Sequence, residues 1–142
     1  GEFAVLREAM AVLSSPSRRL RHWFELHGVE IDLRGSIAPE MMDLFAGIGS
    51  VTQASEEIIR KRNEAKSALA KALLEKQTQE CRESVEEALV RLEGTIEETC
   101  EMFPVIERAS HPDPLLGGRL VRDLSFLEKW KTGLRSIYVR LI

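Results

Sequence analysis

The 142 residues predict an all-α protein: two short amino-terminal helices, then a three-helix bundle built on a long antiparallel helical hairpin. Three observations carry that prediction. The stretch 39–109 has no proline between Pro39 and Pro104, and no glycine between Gly49 and Gly94. Mostly apolar or small residues recur in it at intervals of three and four: Val51, Ser55, Ile58, Arg62, Ala65, Leu69 and Ala72, then Cys81, Val85, Ala88, Leu92, Ile96, Thr99, Phe103 and Ile106. That is helical periodicity with a narrow, coiled-coil-like seam. A third seam follows in Leu120, Leu124, Leu127, Trp130, Leu134, Ile137 and Leu141.

The elements follow in order. Over 2–13, Phe3, Leu6, Ala9, Met10 and Leu13 form the stripe of a short amphipathic helix. Ser14-Ser15-Pro16 ends it and starts another, with Ser15 as N-cap and Pro16 at the first helical position. This second helix turns Leu20, Trp23, Phe24 and His27 to one side and stops at Gly28. Residues 29–38 read as a linker, so the chain divides into 1–28, 29–38 and a bundle over 39–142. Pro39 opens the first hairpin arm, and Glu40 and Asp43 suit its positive end. Gly47 and Gly49 either kink that arm or permit close approach of another surface.

One unbroken helix over 39–109 would be about 100 Å long, so the compact solution folds it in half. The turn is expected in 75–78, with Thr78 as N-cap of the second arm. Pro104 should bend that arm. Residues 110–118, SHPDPLLGG, read as a loop before a last helix over 119–141. The arms outrun that helix, so the 75–78 tip should project by about 15 Å.

Composition narrows the function. A formal charge of −3 gives no support for a nucleic-acid or membrane partner. There is no apolar run long enough to span a bilayer and no signal peptide. Cys81 and Cys100 would lie about 28 Å apart on one helix, beyond disulfide reach. A reducing compartment, the cytoplasm, is expected. Gly1 in place of Met reads as the start of a trimmed chain.

No catalytic, cofactor or metal site is expected. His22 and His27 miss the same-face spacing of four, and no Cys, Asp or Glu joins them in a ligand frame. The cysteines read as small seam hydrophobes. The pairs Glu56-Glu57, Glu86-Glu87 and Glu97-Glu98 read as solvated faces, as do the clusters Arg60-Lys61-Arg62 and Arg18-Arg19-Arg21. Gly117-Gly118 lacks the strand and Lys-Ser/Thr of a phosphate loop. The chain is expected not to be an enzyme.

Exposed apolar residues say more. Met41 and Leu44 continue the first-arm seam, and Met42 and Phe45 fall on the neighbouring stripe. Phe126 lies off the last seam, about 200° from Leu124. Together Met41, Met42, Phe45 and Phe126 are the expected partner-binding residues, since apolar patches on helical domains serve as docking sites. The alternative covers them with the first two helices.

The segment AMAVLSSPSRRLRHWFELHGVEIDL resembles the end of a J domain running into the linker of the HscB family, J-type co-chaperones of iron–sulfur cluster assembly. Ala9, Leu13, Pro16, Arg19, Leu26, His27 and Gly28 carry the resemblance. The ending LVRDLSFLEKWKTGLRSI is similar to that family's last helix through Val121, Arg122, Leu124, Phe126, Leu127 and Lys129. The resemblance implies a J-domain remnant over 1–28 and a carboxy-terminal domain that docks an IscU-type scaffold or another client protein. Met41, Met42, Phe45 and Phe126 are its implied contacts. The family's His-Pro-Asp motif would lie upstream of Gly1, so a DnaK-type chaperone would be engaged only through that missing part. His111-Pro112-Asp113 stands in the wrong loop and reads as a turn. The alternative function is a helical adaptor, unrelated to iron–sulfur assembly, that uses the projecting hairpin.

Overall fold

A computed structural model describes residues 2, 4, 5 and 14–142. The helix expected over 2–13 lies largely outside the described residues. The described residues are all-helical and contain no strand. The helices are α1 (Pro16–Leu26), α2 (Pro39–Glu64), α3 (Ala68–Leu73), α4 (Glu75–Cys100), α5 (Phe103–Arg108) and α6 (Pro114–Leu141). No helix among them is long and apolar enough to cross a membrane. The chain forms two compact units, Gly1–Ile37 with Thr95–Glu128, and Ala38–Gly94 with Lys129–Ile142. Each is therefore assembled from two stretches, whereas the sequence divides the chain at 28 and 38.

The first unit starts from α1. Ser15 caps it, its Oγ accepting from the Arg18 N–H at 3.3 Å, and Pro16 opens it. Gly28 follows the helix with φ of 67°, a left-handed conformation that a Cβ would strain. Leu20 and Phe24 are buried with Ile106, Leu120 and Val121, and Trp23, Val29, Ile31, Phe103 and Leu116 pack around them. The Glu128 carboxylate ties in the start of α1. It accepts from Ser17 N at 3.0 Å, Ser17 Oγ at 2.6 Å and Ser15 Oγ at 3.0 Å.

Residues 29–37 are more than a linker. Asp32 N–H donates to Pro114 O at 3.0 Å. Arg122 donates to Gly35 O at 2.8 Å and to Ser36 O at 3.1 Å. The extended segment is thus sewn to the first unit by backbone groups that need partners anyway.

Two expectations are corrected here. Pro104 does not bend one long arm. The helix α4 ends at Cys100, and Pro104 stands in the first turn of a separate α5, where its missing N–H is harmless. Residues 114–118 are not loop either, because α6 begins at Pro114. Asp113 caps it, its Oδ1 accepting from Leu115 N at 3.0 Å and Leu116 N at 3.2 Å. Gly117 and Gly118 are buried helical residues. A Cβ on Gly117 would overlap the Phe24 ring, and one on Gly118 would overlap the Asp32 carbonyl. The glycines are there for close approach, not for a turn.

Asp123 is buried in this unit, and its Oδ1 has no hydrogen-bond partner. Burial pushes its carboxyl above the ordinary 3.8, against the pull of Arg122 and Arg119. A carboxyl raised on folding contributes stability that is full below its unfolded value and is lost as pH rises through its folded value. Asp123→Asn therefore raises the Tm relative to the parent at neutral pH. The advantage shrinks as pH falls toward 3.8, as thermal melts across that range will read. An advantage independent of pH would rule this account out.

The second unit holds Met41, Ile48, Ile58, Ile59, Val85, Ala88, Leu92, Leu134, Ile137 and Leu141 in its interior. The helix α2 runs uninterrupted through Gly47 and Gly49, with Pro39 and Glu40 in its first turn and Lys61 and Arg62 in its last. Residues 75–78, expected as a turn, are helical and open α4. The chain leaves helix at Ala65, whose ψ is 119°. Ser67 then caps α3, its Oγ accepting from Ala70 N at 3.0 Å. After Leu74 alone, α4 begins at Glu75. Thr78 is no cap. It is buried inside α4, and its Oγ1 donates to Leu74 O at 2.9 Å.

Candidate docking surface

The four residues expected to form one patch have different fates. Met41 is only 7% exposed and belongs to the interior of the second unit, a correction to its expected role. One position along the helix turns a side chain by about 100°, so Met42 faces out, 52% exposed. Phe45, one turn on, is 53% exposed. Phe126 belongs to the first unit and is half-buried.

Trp130 enters instead. Sequence periodicity assigned it to the last seam, and it is half-buried. Its ring meets that of Phe45 at 5.4 Å between centroids and 41° between planes. An aromatic pair of this kind adds about 0.5–1.5 kcal/mol beyond area burial. The signal that could have found Trp130 is its indole: a Trp in a seam tends to keep one edge wet.

Charge near this surface is mixed. Glu40 and Asp43 are exposed on α2, about 200° and 100° round the helix from Met42. After Trp130, Lys131 reaches Glu93 at 3.4 Å, and Arg135 reaches the same carboxylate at 3.6 Å.

A second exposed apolar surface lies on α3. None of the six residues of α3 is buried. Leu69 and Leu73, four apart and so on one face, are 71% and 73% exposed. Sequence periodicity had assigned Leu69 to the hairpin seam.

The groups considered for chemistry are dispersed. Among the described residues, no three His, Cys, Asp or Glu side chains converge on a metal-sized space. His27 stacks on Trp23 at 4.0 Å, and its Nδ1 lies 2.8 Å from Trp23 O. The Nδ1 of His22 is 4.0 Å from Glu25. Cys81 and Cys100 are free thiols, each half-buried. Burial pushes the Cys100 thiol up, away from the reactive thiolate, with Arg19 opposing. Asp113 of the His-Pro-Asp tripeptide is engaged in capping α6.

No family model, curated protein sequence or solved structure matches the chain.

Proposed function

We propose that the second unit is a protein-docking module whose contact face is Met42 and Phe45 backed by Trp130. Docking, not catalysis, is its work. The observation that carries this reading is the pair of large apolar side chains, one helical turn apart and each more than half exposed, with the outer ring braced by an indole. Hot spots of this kind supply most of the affinity of an interface. The resemblance to the HscB family makes an IscU-type iron–sulfur scaffold the first partner to try. A DnaK-type chaperone would be engaged only through sequence upstream of Gly1. Two free thiols fit the reducing cytoplasm as its place of work.

In this reading α2 and α4 are the arms of an antiparallel hairpin. Residues 44–51 share a groove with 84–91, and residues 54–61 share one with 77–84. Numbering falls along one helix as it rises along the other, and Cys81 Sγ reaches Ala54 O at 3.9 Å between them. The helix α3 then forms the tip. The second reading, an adaptor unrelated to iron–sulfur assembly that docks through this tip, is favoured by the exposure of Leu69 and Leu73.

Calorimetric titration with an IscU-type scaffold separates the two. Met42→Ala and Phe45→Ala each weaken binding by about 1–2 kcal/mol, while Leu69→Ala with Leu73→Ala leaves it unchanged. Phe126→Ala, in the other unit, tests the implication of the family resemblance. Absence of binding by a folded chain would reject the scaffold reading. Binding lost only with the two leucine variants would move the contact to α3.

A further inference from the structure

We propose that the second unit carries a site for a phosphate-group anion in the cavity where α2, α3 and α6 meet. The cavity is about 240 Å³ and is lined by Ile59, Arg62, Asn63, Lys71, Glu75 and Arg140. It is independent of the Met42–Phe45 face and does not rest on the docking reading.

Three helices each contribute a cation: Arg62 from the last turn of α2, Lys71 from the last turn of α3 and Arg140 from the last turn of α6. Three cations gathered at one cavity repel one another unless something negative joins them. The carboxylates present answer only in part. Glu56 holds Arg140 through both oxygens, at 3.1 and 3.2 Å. Glu75 is held by Arg82 at 2.9 Å, so its charge is already matched. Among the residues lining the cavity, Arg62, Lys71 and Arg140 are positive and Glu75 alone is negative.

Capping explains some of this gathering and not the rest. Arg62 Nη1 donates to Leu141 O at 3.1 Å, and Arg82 Nη1 donates to the same carbonyl at 3.0 Å. Those bonds satisfy the open end of α6 and fix the guanidinium planes. Lys71 and the Asn63 amide also line the cavity, yet neither side chain makes a hydrogen bond or ion pair among the described residues. An ammonium and an amide N–H beside the Arg62 guanidinium, oriented by its bond to Leu141 O, and the Arg140 guanidinium, oriented by Glu56, are a donor set that phosphate oxygens take up. The positive excess among the lining groups favours a phosphate-group anion. The volume admits inorganic phosphate, pyrophosphate or the phosphorylated end of a larger molecule, a lipid headgroup included.

The test is an NMR titration of the whole chain with sodium pyrophosphate and sodium phosphate, against sodium chloride at equal ionic strength. The expected result is saturable movement of the Asn63 side-chain amide resonances. Lys71→Ala should weaken binding about tenfold or more, as loss of a charge-assisted bond does. Lys76→Ala removes the same charge from outside the cavity and should leave binding within about twofold. Lys71 and Lys76 are both exposed, so neither variant threatens the fold. Vesicles of phosphatidylcholine with and without phosphatidylinositol phosphate identify the source. Sedimentation with the phosphoinositide vesicles, reversed by pyrophosphate, marks a headgroup ligand. Pyrophosphate binding without sedimentation marks a free one. No saturable response to any of these probes, or equal losses in Lys71→Ala and Lys76→Ala, overturns the proposal.

Discussion

Gly118→Ala is expected to destabilise the first unit by about 3 kcal/mol or more, at the upper end of what over-packing does. The methyl would enter the space of the Asp32 carbonyl group, overlapping both its oxygen and its carbon. The obstacle is backbone, so no rotamer change relieves it. The strand of chain that carries Asp32 is itself held in place. Its N–H bonds Pro114 O at 3.0 Å, and the neighbouring carbonyls of Gly35 and Ser36 are held by Arg122. Moving Asp32 away would break these bonds, and leaving it would compress α6 against it. Urea denaturation followed by fluorescence in a Trp130→Phe background, which leaves Trp23 of this unit as the sole indole, will read the loss. Gly94→Ala is the control. It lies in the interior of α4 with nothing within 4 Å of its absent Cβ. It should gain about 0.5–1 kcal/mol from helix propensity alone. A Gly118→Ala protein as stable as its parent would show that 29–37 does not pack on α6 as described.

These glycines also mark where the sequence stopped being legible. The all-helical class was readable because a period of three to four survives any tertiary arrangement. The start of α1 was readable too, since Ser15-Pro16 is a local signal whose physics is complete within one turn. The start of α6 carries the same kind of signal in Asp113-Pro114, and Gly117-Gly118 masked it. A glycine pair speaks for a loop on propensity. Only the neighbours packed against it, Phe24 from α1 and Asp32 from the following segment, reveal that it is a slot. The break at 65–67 went unread for the opposite reason. Ala65 and Lys66 contain no breaker, and the one local cue was Ser67 as a cap.

The candidate surface was half readable. Met42 and Phe45 follow from helical phase. Met41 and Trp130 both lie on their seams by phase; Met41 follows its seam into the interior, while Trp130 stays half-buried against Phe45. The pairing of Phe45 with Trp130 needed two chain segments far apart in sequence to be seen together.

Phe24→Ala should cost about 3–5 kcal/mol, the usual result of emptying a buried phenyl site. The ring is 1% exposed and meets Trp23 edge to face at 5.0 Å. Its far end fills the slot left by Gly117. That last contact makes a sharper prediction than the loss itself. In the parent, Gly117→Ala forces a methyl into the ring and destabilises by about 1–3 kcal/mol. In the Phe24→Ala background the same methyl enters vacated space, contributes helix propensity and refills part of the cavity. The two changes are therefore non-additive, with the double variant more stable than the sum of the single losses by about 1–3 kcal/mol. Gly118→Ala behaves differently in that background. Its obstacle is the Asp32 carbonyl, which Phe24→Ala leaves in place, so its loss carries over nearly unchanged. The two neighbouring glycines are thereby distinguished: coupling at 117 and additivity at 118. Additivity at both would mean that the Phe24 ring does not occupy the slot, and the packing of α1 on α6 would have to be redrawn.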